Sequence, residues 1–239
     1  MSGIMLVKMN NVITTAAPPS PPAEFSNPSL TIGSAVTTVE QSPFGSGNSY
    51  SFISSANSYI DTPASSDWAV GTGDFTIEWF GYQTTTSGFQ RAFTVDDFSS
   101  IDIGVSIENG TFYYWNNSSV RYSSGSGVAI NTWAHWAIVR ASGATRIYRD
   151  GSLFGIIADS NNINNIIDEL TIGNENTATT TAAYVGYITN FRWVKGLAVY
   201  TGSFTVPTSP LTATADANPY GGSNTAAIGA GFTKLLLVP

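Results

Sequence analysis

Residues 133–153 read WAHWAIVRASGATRIYRDGSL, and the fold follows from this stretch. Its first part, Trp133 to Val139, is apolar at odd and even positions alike, as expected of a strand that is covered on both faces. Further on, Asp150 and Gly151 separate two short runs and readily accept positive φ, which a two-residue hairpin turn requires. The stretch therefore predicts a central strand followed by a tight hairpin.

Flanking segments extend the β pattern in both directions. Ile101, Ile103, Val105 and Ile107 alternate with polar residues, so they predict a half-buried strand. Further strands are predicted over 75–80, 145–149, 152–157, 170–172 and 184–193. Short strands at this spacing, without a sustained helical period, predict an all-β fold: a two-sheet antiparallel jelly-roll sandwich.

Composition separates an N-terminal arm from the sandwich. Residues 1–48 are predicted to form an extended arm, because the Pro cluster at 16–23 stiffens the chain and cannot join a central strand. Weak alternation between Ser29 and Val39 allows one edge strand within it. The sandwich itself is predicted over 49–211.

The remaining residues, 212–239, are a predicted C-terminal extension rich in Ala, Gly and Asn. It closes with the apolar run Leu235 to Val238, which would be unfavourable on a free terminus. Two interpretations remain open for this run: a final strand on the same sandwich, or a contact with another subunit.

Four ordered blocks of the chain match a known pattern. They are SFI at 51–53 with YID at 59–61; DFTIEWF at 74–80; WAHWAIVR at 133–140 with IYRDGSL at 147–153; and LTIG at 170–173, GYI at 186–188, FR at 191–192 and YTGSFTVPTSPL at 200–211. Together they resemble the laminin-G-like jelly rolls of the concanavalin A-like lectin/glucanase superfamily.

The last block, at 200–211, is similar to endings found in structural proteins of bacteriophages and other aquatic viruses. The resemblance therefore implies a virion structural protein that decorates a capsid or forms part of a tail. Members of the superfamily commonly bind glycans, so the alternative is an adhesion module that recognises a host-surface carbohydrate. Because one fold hosts many functions, both remain expectations.

Composition excludes several classes of partner. The net charge is −7 with nine scattered Lys and Arg residues, so we expect neither a nucleic acid nor an anionic membrane as partner. The chain has no cysteine, which excludes disulfides and thiolate metal sites. Lys8 interrupts the apolar run at 4–7 before a signal peptide could form, so we expect assembly in the host cytoplasm and residence in the virion.

Catalytic residues are scarce. His135 is the single histidine, and its apolar neighbours favour a hydrogen-bonded structural role over a triad. Sandwich glycosidases place carboxylates two residues apart on one strand face, whereas the acidic residues at 96–97 and 168–169 are adjacent and Glu78 stands alone. We therefore expect no enzymatic activity.

Two groups of residues are candidates for ligand binding. Tyr113, Trp115, Asn116 and Tyr122 combine aromatic rings with an amide, as a sugar site does. Asp96, Asp97 and Asp102 surround one predicted loop and could supply oxygens to Ca²⁺, although a solvated acidic turn is the favoured explanation. No other cofactor is expected.

The arm and the apolar terminus indicate assembly. A Pro-rich arm and an apolar C-terminal run are both suited to contacts between subunits. We therefore expect a homo-oligomer, with a trimer favoured, and contacts with other virion proteins.

Overall fold

The computed structural model describes residues 25–96, 100–164, 168–175 and 182–239. Within them every regular element is a strand, and none is a helix of the length and hydrophobicity that a membrane span requires. The strands are β1 (Thr31–Ile32), β2 (Thr37–Val39), β3 (Ser49–Phe52), β4 (Ile60–Asp61), β5 (Phe75–Gln83), β6 (Phe89–Asp96), β7 (Ile101–Glu108), β8 (Thr111–Asn116), β9 (Ser119–Ser123), β10 (Trp133–Ala141), β11 (Ala144–Arg149), β12 (Ser152–Ala158), β13 (Glu169–Ile172), β14 (Gly186–Lys195) and β15 (Thr233–Leu237).

The strands form two antiparallel sheets that pack face to face. The seven-stranded sheet has the order β1-β4-β13-β6-β7-β8-β9. The eight-stranded sheet has the order β12-β11-β10-β5-β14-β3-β2, with β15 also paired to β14. Aromatic rings fill the space between them: the ring centroids of Trp79 and Phe93 lie 5.6 Å apart, and Trp79 stacks at 6.4 Å on Trp136. The predicted all-β, two-sheet antiparallel sandwich is confirmed.

The hairpin that the sequence predicts joins β11 to β12. Asp150 and Gly151 have φ values of 48° and 73°, as a type I′ turn requires. A Cβ atom on Gly151 would overlap the backbone oxygen of Phe204, so the turn is also a place where two chain segments approach closely.

Both ends of the described chain contribute to the sheets. The predicted arm supplies β1, which pairs with β4, and β2, which pairs with β3. The predicted extension ends in β15, which pairs with β14, so its apolar residues Leu235 and Leu237 belong to the core. The sandwich thus begins before residue 49 and ends after residue 211. Residues 1–24, with the Pro cluster, lie outside the described residues.

The outer face of the eight-stranded sheet is largely closed by residues 197–228, which we call the covering segment. A second apolar cluster joins Val139 and Val194 of the sheet to Val199 and Ile228 of this segment. In addition, the rings of Tyr200 and Phe204 stack with centroids 3.6 Å apart. The YTGSFTVPTSPL block is therefore part of a structural cover, and burial of its rings stabilises the outer layer.

A buried carboxylate, Glu78, lies beneath this cover. Arg192 donates to its Oε1 from Nε at 2.8 Å and from Nη2 at 2.5 Å, while the Tyr200 hydroxyl donates to Oε2 at 2.7 Å. The ring Nε2 of His135 lies 3.0 Å from Oε2. Burial alone would raise the pKa of Glu78, but the charge of Arg192 and the hydrogen bonds from His135 and Tyr200 outweigh it and lower the pKa to about 2.

The sequence-based statements about His135 and Glu78 can now be compared with the structure. The structural role predicted for His135 is confirmed, because the ring is buried and bound to a carboxylate. Glu78, which has no carboxylate two residues away in the sequence, is bound by Arg192, His135 and Tyr200, which come from strands and loops distant in the sequence. Neither residue is accessible to a substrate.

Replacing Glu78 tests the importance of this buried charge. We expect Glu78→Gln to lower the free energy of unfolding at pH 7 by about 3–5 kcal/mol, because Arg192 is left as a buried, unpaired cation. Tyr200→Phe, which removes one hydrogen bond to the charged group, should cost about 1.5–3 kcal/mol. Urea unfolding measures both values.

The pH dependence provides the control. Since the folded pKa of Glu78 lies below its ordinary value of 4.5, its stabilising contribution is present above that value and is lost as the pH falls through about 2. The difference between wild type and Glu78→Gln should shrink over that window. A difference under about 1 kcal/mol at pH 7 would contradict the role assigned to Glu78.

Candidate functional site

The four residues predicted to bind a ligand lie on two different faces of the seven-stranded sheet. On β8, Phe112 and Tyr114 point into the core, so Tyr113 and Trp115 point outward and are half-buried. Asn116 points inward and is fully buried. The structure therefore keeps Tyr113 and Trp115 together and separates Asn116 from them.

Tyr122 also faces the interior. It pairs with Tyr114 across β8 and β9, and its hydroxyl donates to the backbone oxygen of Phe154 at 2.8 Å. A Cβ atom on Gly155 would overlap the Tyr122 ring, so this ring fills the gap left by the glycine. Its role is packing between the sheets.

Asn116 belongs to a buried polar network at one end of the sandwich. The Nδ2 of Asn116 donates to Asp159 Oδ2 at 3.0 Å, and the Oδ1 of Asn116 accepts a hydrogen bond from Asn161 Nδ2 at 2.6 Å. The same Asp159 oxygen accepts a hydrogen bond from Thr145 Oγ1 at 2.8 Å. These bonds satisfy groups that would be costly to bury alone, so Asn116 is structural.

The outward residues continue as a row across the seven-stranded sheet. Strand register places Asp61 beside Thr171, Thr171 beside Thr94, and Gly104 between Thr94 and Trp115. Gly104 has no side chain, and neighbouring atoms fill its place in the row: a Cβ atom there would lie 3.1 Å from the backbone oxygen of Phe93 and 3.3 Å from Thr94 Oγ1. This row is a polar floor that ends at an aromatic ring.

A second row lies alongside and contains Arg91, Ser106 and Tyr113. The indole Nε1 of Trp115 donates to Ser106 Oγ at 2.8 Å, and the Arg91 guanidinium lies 5.1 Å from the Trp115 ring centroid. Nη2 of Arg91 lies 3.1 Å from Glu175 Oε1. Although the side chain is buried, its Nε and Nη1 have no hydrogen-bond partner among the residues that the structure describes. These two N–H groups are buried together with the rest of the Arg91 side chain.

Carboxylates complete the face. Glu169 is directly opposite Asp96 on β13 and β6, and Asp61 lies on the next strand, β4. Desolvation of Asp61, assisted by the negative charges of Glu169 and Asp96, raises its pKa to about 6 despite the hydrogen bond that Thr171 donates at 2.6 Å. We call Asp61, Asp96, Glu169, Arg91, Tyr113 and Trp115, together with their polar floor, the polar face.

The predicted calcium ligands are only partly described. Asp97 lies outside the described residues. Asp96 is buried and accepts a hydrogen bond from Thr94 Oγ1 at 3.2 Å, while Asp102 is half-buried on β7. Over 25–96, 100–164, 168–175 and 182–239, no three His, Cys, Asp or Glu side chains are grouped so as to hold a metal ion. Calcium binding through these aspartates stays a prediction.

Comparison with known families now places the chain. A laminin-G-like family model, described as the concanavalin A-like lectin/glucanases superfamily, matches residues 54–197. The chain belongs to this superfamily. The matched range runs from the segment before β4 to the start of the covering segment, so it includes the whole polar face. The resemblance drawn from the four sequence blocks is confirmed at this level.

Solved structures share the fold of this superfamily member at low sequence identity. The binding domain of Paraclostridial Mosquitocidal Protein 1 aligns with a TM-score of 0.56 and 14% identity over 72% of this chain, which corresponds to 44% of that chain. Domain 4 of AbnA, a GH43 extracellular arabinanase from Geobacillus stearothermophilus solved with arabinotriose, aligns with a TM-score of 0.55 and 14% identity over 71% of this chain and 82% of that one. A search of the curated proteins finds no match.

Asp61 provides a test of the electrostatics of the polar face. Its folded pKa of about 6 exceeds its ordinary value of 3.8, so the folded protein binds more protons than the unfolded chain between about pH 4 and pH 6. Stability should fall as the pH rises through this window. We therefore expect Asp61→Asn to raise the free energy of unfolding by about 1–2 kcal/mol at pH 7, and to leave it unchanged near pH 3.5.

Denaturant unfolding at the two pH values measures this effect. Thr171→Val is the matched control, because it removes the hydrogen bond to Asp61 and should destabilise the protein at pH 7. If Asp61→Asn is also destabilising at pH 7, the carboxylate is not electrostatically unfavourable and the description of the polar face is wrong.

Proposed function

We propose that this protein is a non-catalytic, saccharide-binding structural component of a virus particle. The observation that carries the saccharide-binding part is the polar face. It combines two partly exposed rings, Tyr113 and Trp115, with carboxylates and with the buried guanidinium of Arg91, whose Nε and Nη1 have no hydrogen-bond partner among the described residues. A ring that stacks on a sugar and polar groups that fix its hydroxyls are what a carbohydrate site needs.

The chemistry of the polar face favours a neutral sugar. Sugar hydroxyls both donate and accept, so one hydroxyl can donate to the carboxylate of Asp61 and a different one can accept from Arg91, and one ligand type suits both groups. The carboxylates could coordinate a metal ion, but the positive charge of the Arg91 guanidinium would repel it. The net charge of −7 also disfavours an anionic glycan.

The inaccessible positions of Glu78 and His135 support a non-catalytic function. Both are fully buried beneath the covering segment and bound to each other, so neither can reach a glycosidic bond. The polar face does bring carboxylates together, which the sequence spacing did not predict. A binding assay must therefore be accompanied by an assay for cleavage.

The virion setting rests on the sequence. The YTGSFTVPTSPL block at 200–211 resembles endings of viral structural proteins, and a charged fraction of 10% fits surfaces that are buried in an assembly. In this setting the partners are other copies of the chain, other virion proteins and a glycan on the host surface. An attachment protein would combine the structural and the binding role.

Saccharide binding should depend on the outward-facing Tyr113 and Trp115 and not on the inward-facing Asn116 and Tyr122. We expect Trp115→Ala to weaken binding of any saccharide bound at the polar face at least tenfold, a loss of about 1.4 kcal/mol. Asp61→Asn should also weaken it, although this variant is more stable. A glycan array identifies the ligand, and calorimetry measures the affinities.

Tyr122→Phe is the matched control. It removes a hydroxyl on the inner face, so it should lower the melting temperature without changing the affinity. Saccharide binding that survives Trp115→Ala but is lost in Tyr122→Phe would overturn the assignment of the face. Release of reducing ends that stops in Asp61→Asn or Asp96→Asn would overturn the claim that the protein is non-catalytic.

One exposed edge is relevant to assembly. Strand β12 is the outermost strand of the eight-stranded sheet, and its sequence SLFGIIA contains neither a charge nor a proline. Leu153 and Ile156 on this strand are about half exposed. Unprotected apolar edges tend to pair with another chain, so this edge supports self-association alongside the proposed role of the arm.

Deleting residues 1–24 tests whether the arm drives assembly. We expect the intact chain to be a homo-oligomer, preferably a trimer, and the truncated chain to be a folded monomer, as measured by light scattering coupled to gel filtration. Ile156→Lys should leave assembly intact if the arm is the main contact. A monomeric intact chain, or a truncated chain that assembles and dissociates only with Ile156→Lys, would contradict the role of the arm.

A further inference from the structure

Three aromatic rings lie side by side on the outer face of the eight-stranded sheet. Strand register places Trp133 of β10 opposite Tyr82 of β5, and Tyr82 opposite Tyr187 of β14. The ring centroid of Tyr82 lies 5.5 Å from that of Trp133 and 5.5 Å from that of Tyr187. The ring centroids of Trp133 and Tyr187 are 6.4 Å apart. We call these three residues the aromatic patch.

The covering segment leaves the aromatic patch half-exposed. One row further along the sheet, His135 and Phe80 are buried, whereas Trp133, Tyr82 and Tyr187 all retain solvent contact. No hydrogen bond from another described residue reaches the two tyrosine hydroxyls or the indole N–H of the patch. Their polar groups are therefore directed to solvent and free to bind a ligand.

A cavity of about 390 Å³ adjoins the aromatic patch. Phe44, Phe80 and Trp133 form its aromatic walls, and Pro207 of the covering segment closes one side. The carboxylate of Asp150 also lines it and is 54% exposed, with its Oδ1 accepting a hydrogen bond from the backbone N–H of His135 at 2.9 Å. Aromatic walls with a few polar groups at this volume match the make-up of a small-molecule site.

We propose that the aromatic patch and the adjoining cavity form a second saccharide-binding site, on the sheet opposite the polar face. The rings supply stacking surfaces, the Tyr82 and Tyr187 hydroxyls and the Trp133 N–H bind sugar hydroxyls, and Asp150 accepts a hydrogen bond from a sugar unit seated in the cavity. Among the described residues that line the cavity, Asp150 supplies the carboxylate and no Lys or Arg is present, so an anionic glycan is disfavoured and the ligand proposed is a neutral one.

A second site makes the module bivalent. The polar face and the aromatic patch lie on the outer faces of opposite sheets, so the two sites can hold two separate chains or two distant parts of one chain. Linked sites raise the overall affinity for a polymer without any new contact, because the second binding event becomes intramolecular. The choice of a saccharide as ligand rests on the proposed function, but the position of the site does not.

Native affinity electrophoresis in gels that contain xylan, β-glucan, arabinan or mannan tests the proposal with the full chain. We expect at least one polysaccharide to retard the wild type more than Trp133→Ala and more than Trp115→Ala, and to retard the double variant least. Tyr187→Lys is the second variant at the patch, because its aliphatic stem preserves packing while its charge disrupts stacking. Melting temperatures identify any variant that fails to fold.

The outcomes separate this proposal from the proposed function. If Trp115→Ala has no effect and Trp133→Ala and Tyr187→Lys abolish retardation, the polar face is not a saccharide site but the aromatic patch is. If both patch variants migrate like the wild type in every gel while remaining folded, the aromatic patch is not a saccharide site. A change in oligomer mass in Tyr187→Lys without loss of retardation would show that the patch contacts another subunit, and would overturn the proposal.

Discussion

The fold depends on the neutralisation of one buried carboxylate. An unpaired charge in the interior of a protein is so costly that the group must be paired and hydrogen-bonded or the structure will not form. Glu78 meets this condition with Arg192 from β14, His135 from β10 and Tyr200 from the covering segment. Its charge can be accommodated only when the sheet and its cover are assembled together, so it couples the two layers.

Because the covering segment is held over the eight-stranded sheet, the two outer faces of the sandwich differ in polarity. Over the eight-stranded sheet, apolar residues such as Val139 and Val194 are covered by the chain itself. Over the seven-stranded sheet, the equivalent positions are Thr94, Thr171 and Ser106, which are polar. These floor residues are themselves buried, so a ligand that forms hydrogen bonds would meet this face mainly at Tyr113, Trp115 and Glu169.

The sequence predicts strands well because their alternation is local. The hydrophobic pattern of β7, the turn at Asp150 and Gly151, and the buried character of β10 all follow from neighbouring residues. Alternation could also have separated Tyr113 and Trp115 from Asn116, since odd and even positions of a strand face opposite sides. The sugar-site prediction grouped them by composition and ignored this periodicity.

The electrostatics of the sites could not be predicted in the same way. Glu78 and Arg192 are 114 positions apart in the sequence, and Asp61 bonds to Thr171 at a separation of 110. Such pairs depend on strand register, and a shift of one residue would turn each side chain to the other face. The position of Tyr122 further depends on the irregularity between Tyr114 and Trp115, for which the sequence offers no clear signal.

The polar face carries groups that weaken the free protein. Asp61 holds a carboxylate with a raised pKa, and Arg91 is buried with two N–H donors unused. Each arrangement costs stability, and it is compensated only in part by the hydrogen bond from Thr171 to Asp61 and by the ion pair of Arg91 with Glu175. A hydroxyl-rich ligand suits both, because separate hydroxyls can donate to the acid and accept from the guanidinium. Residues that oppose folding but are complementary to one ligand chemistry are better explained by binding than by structure, since stability alone would favour their replacement.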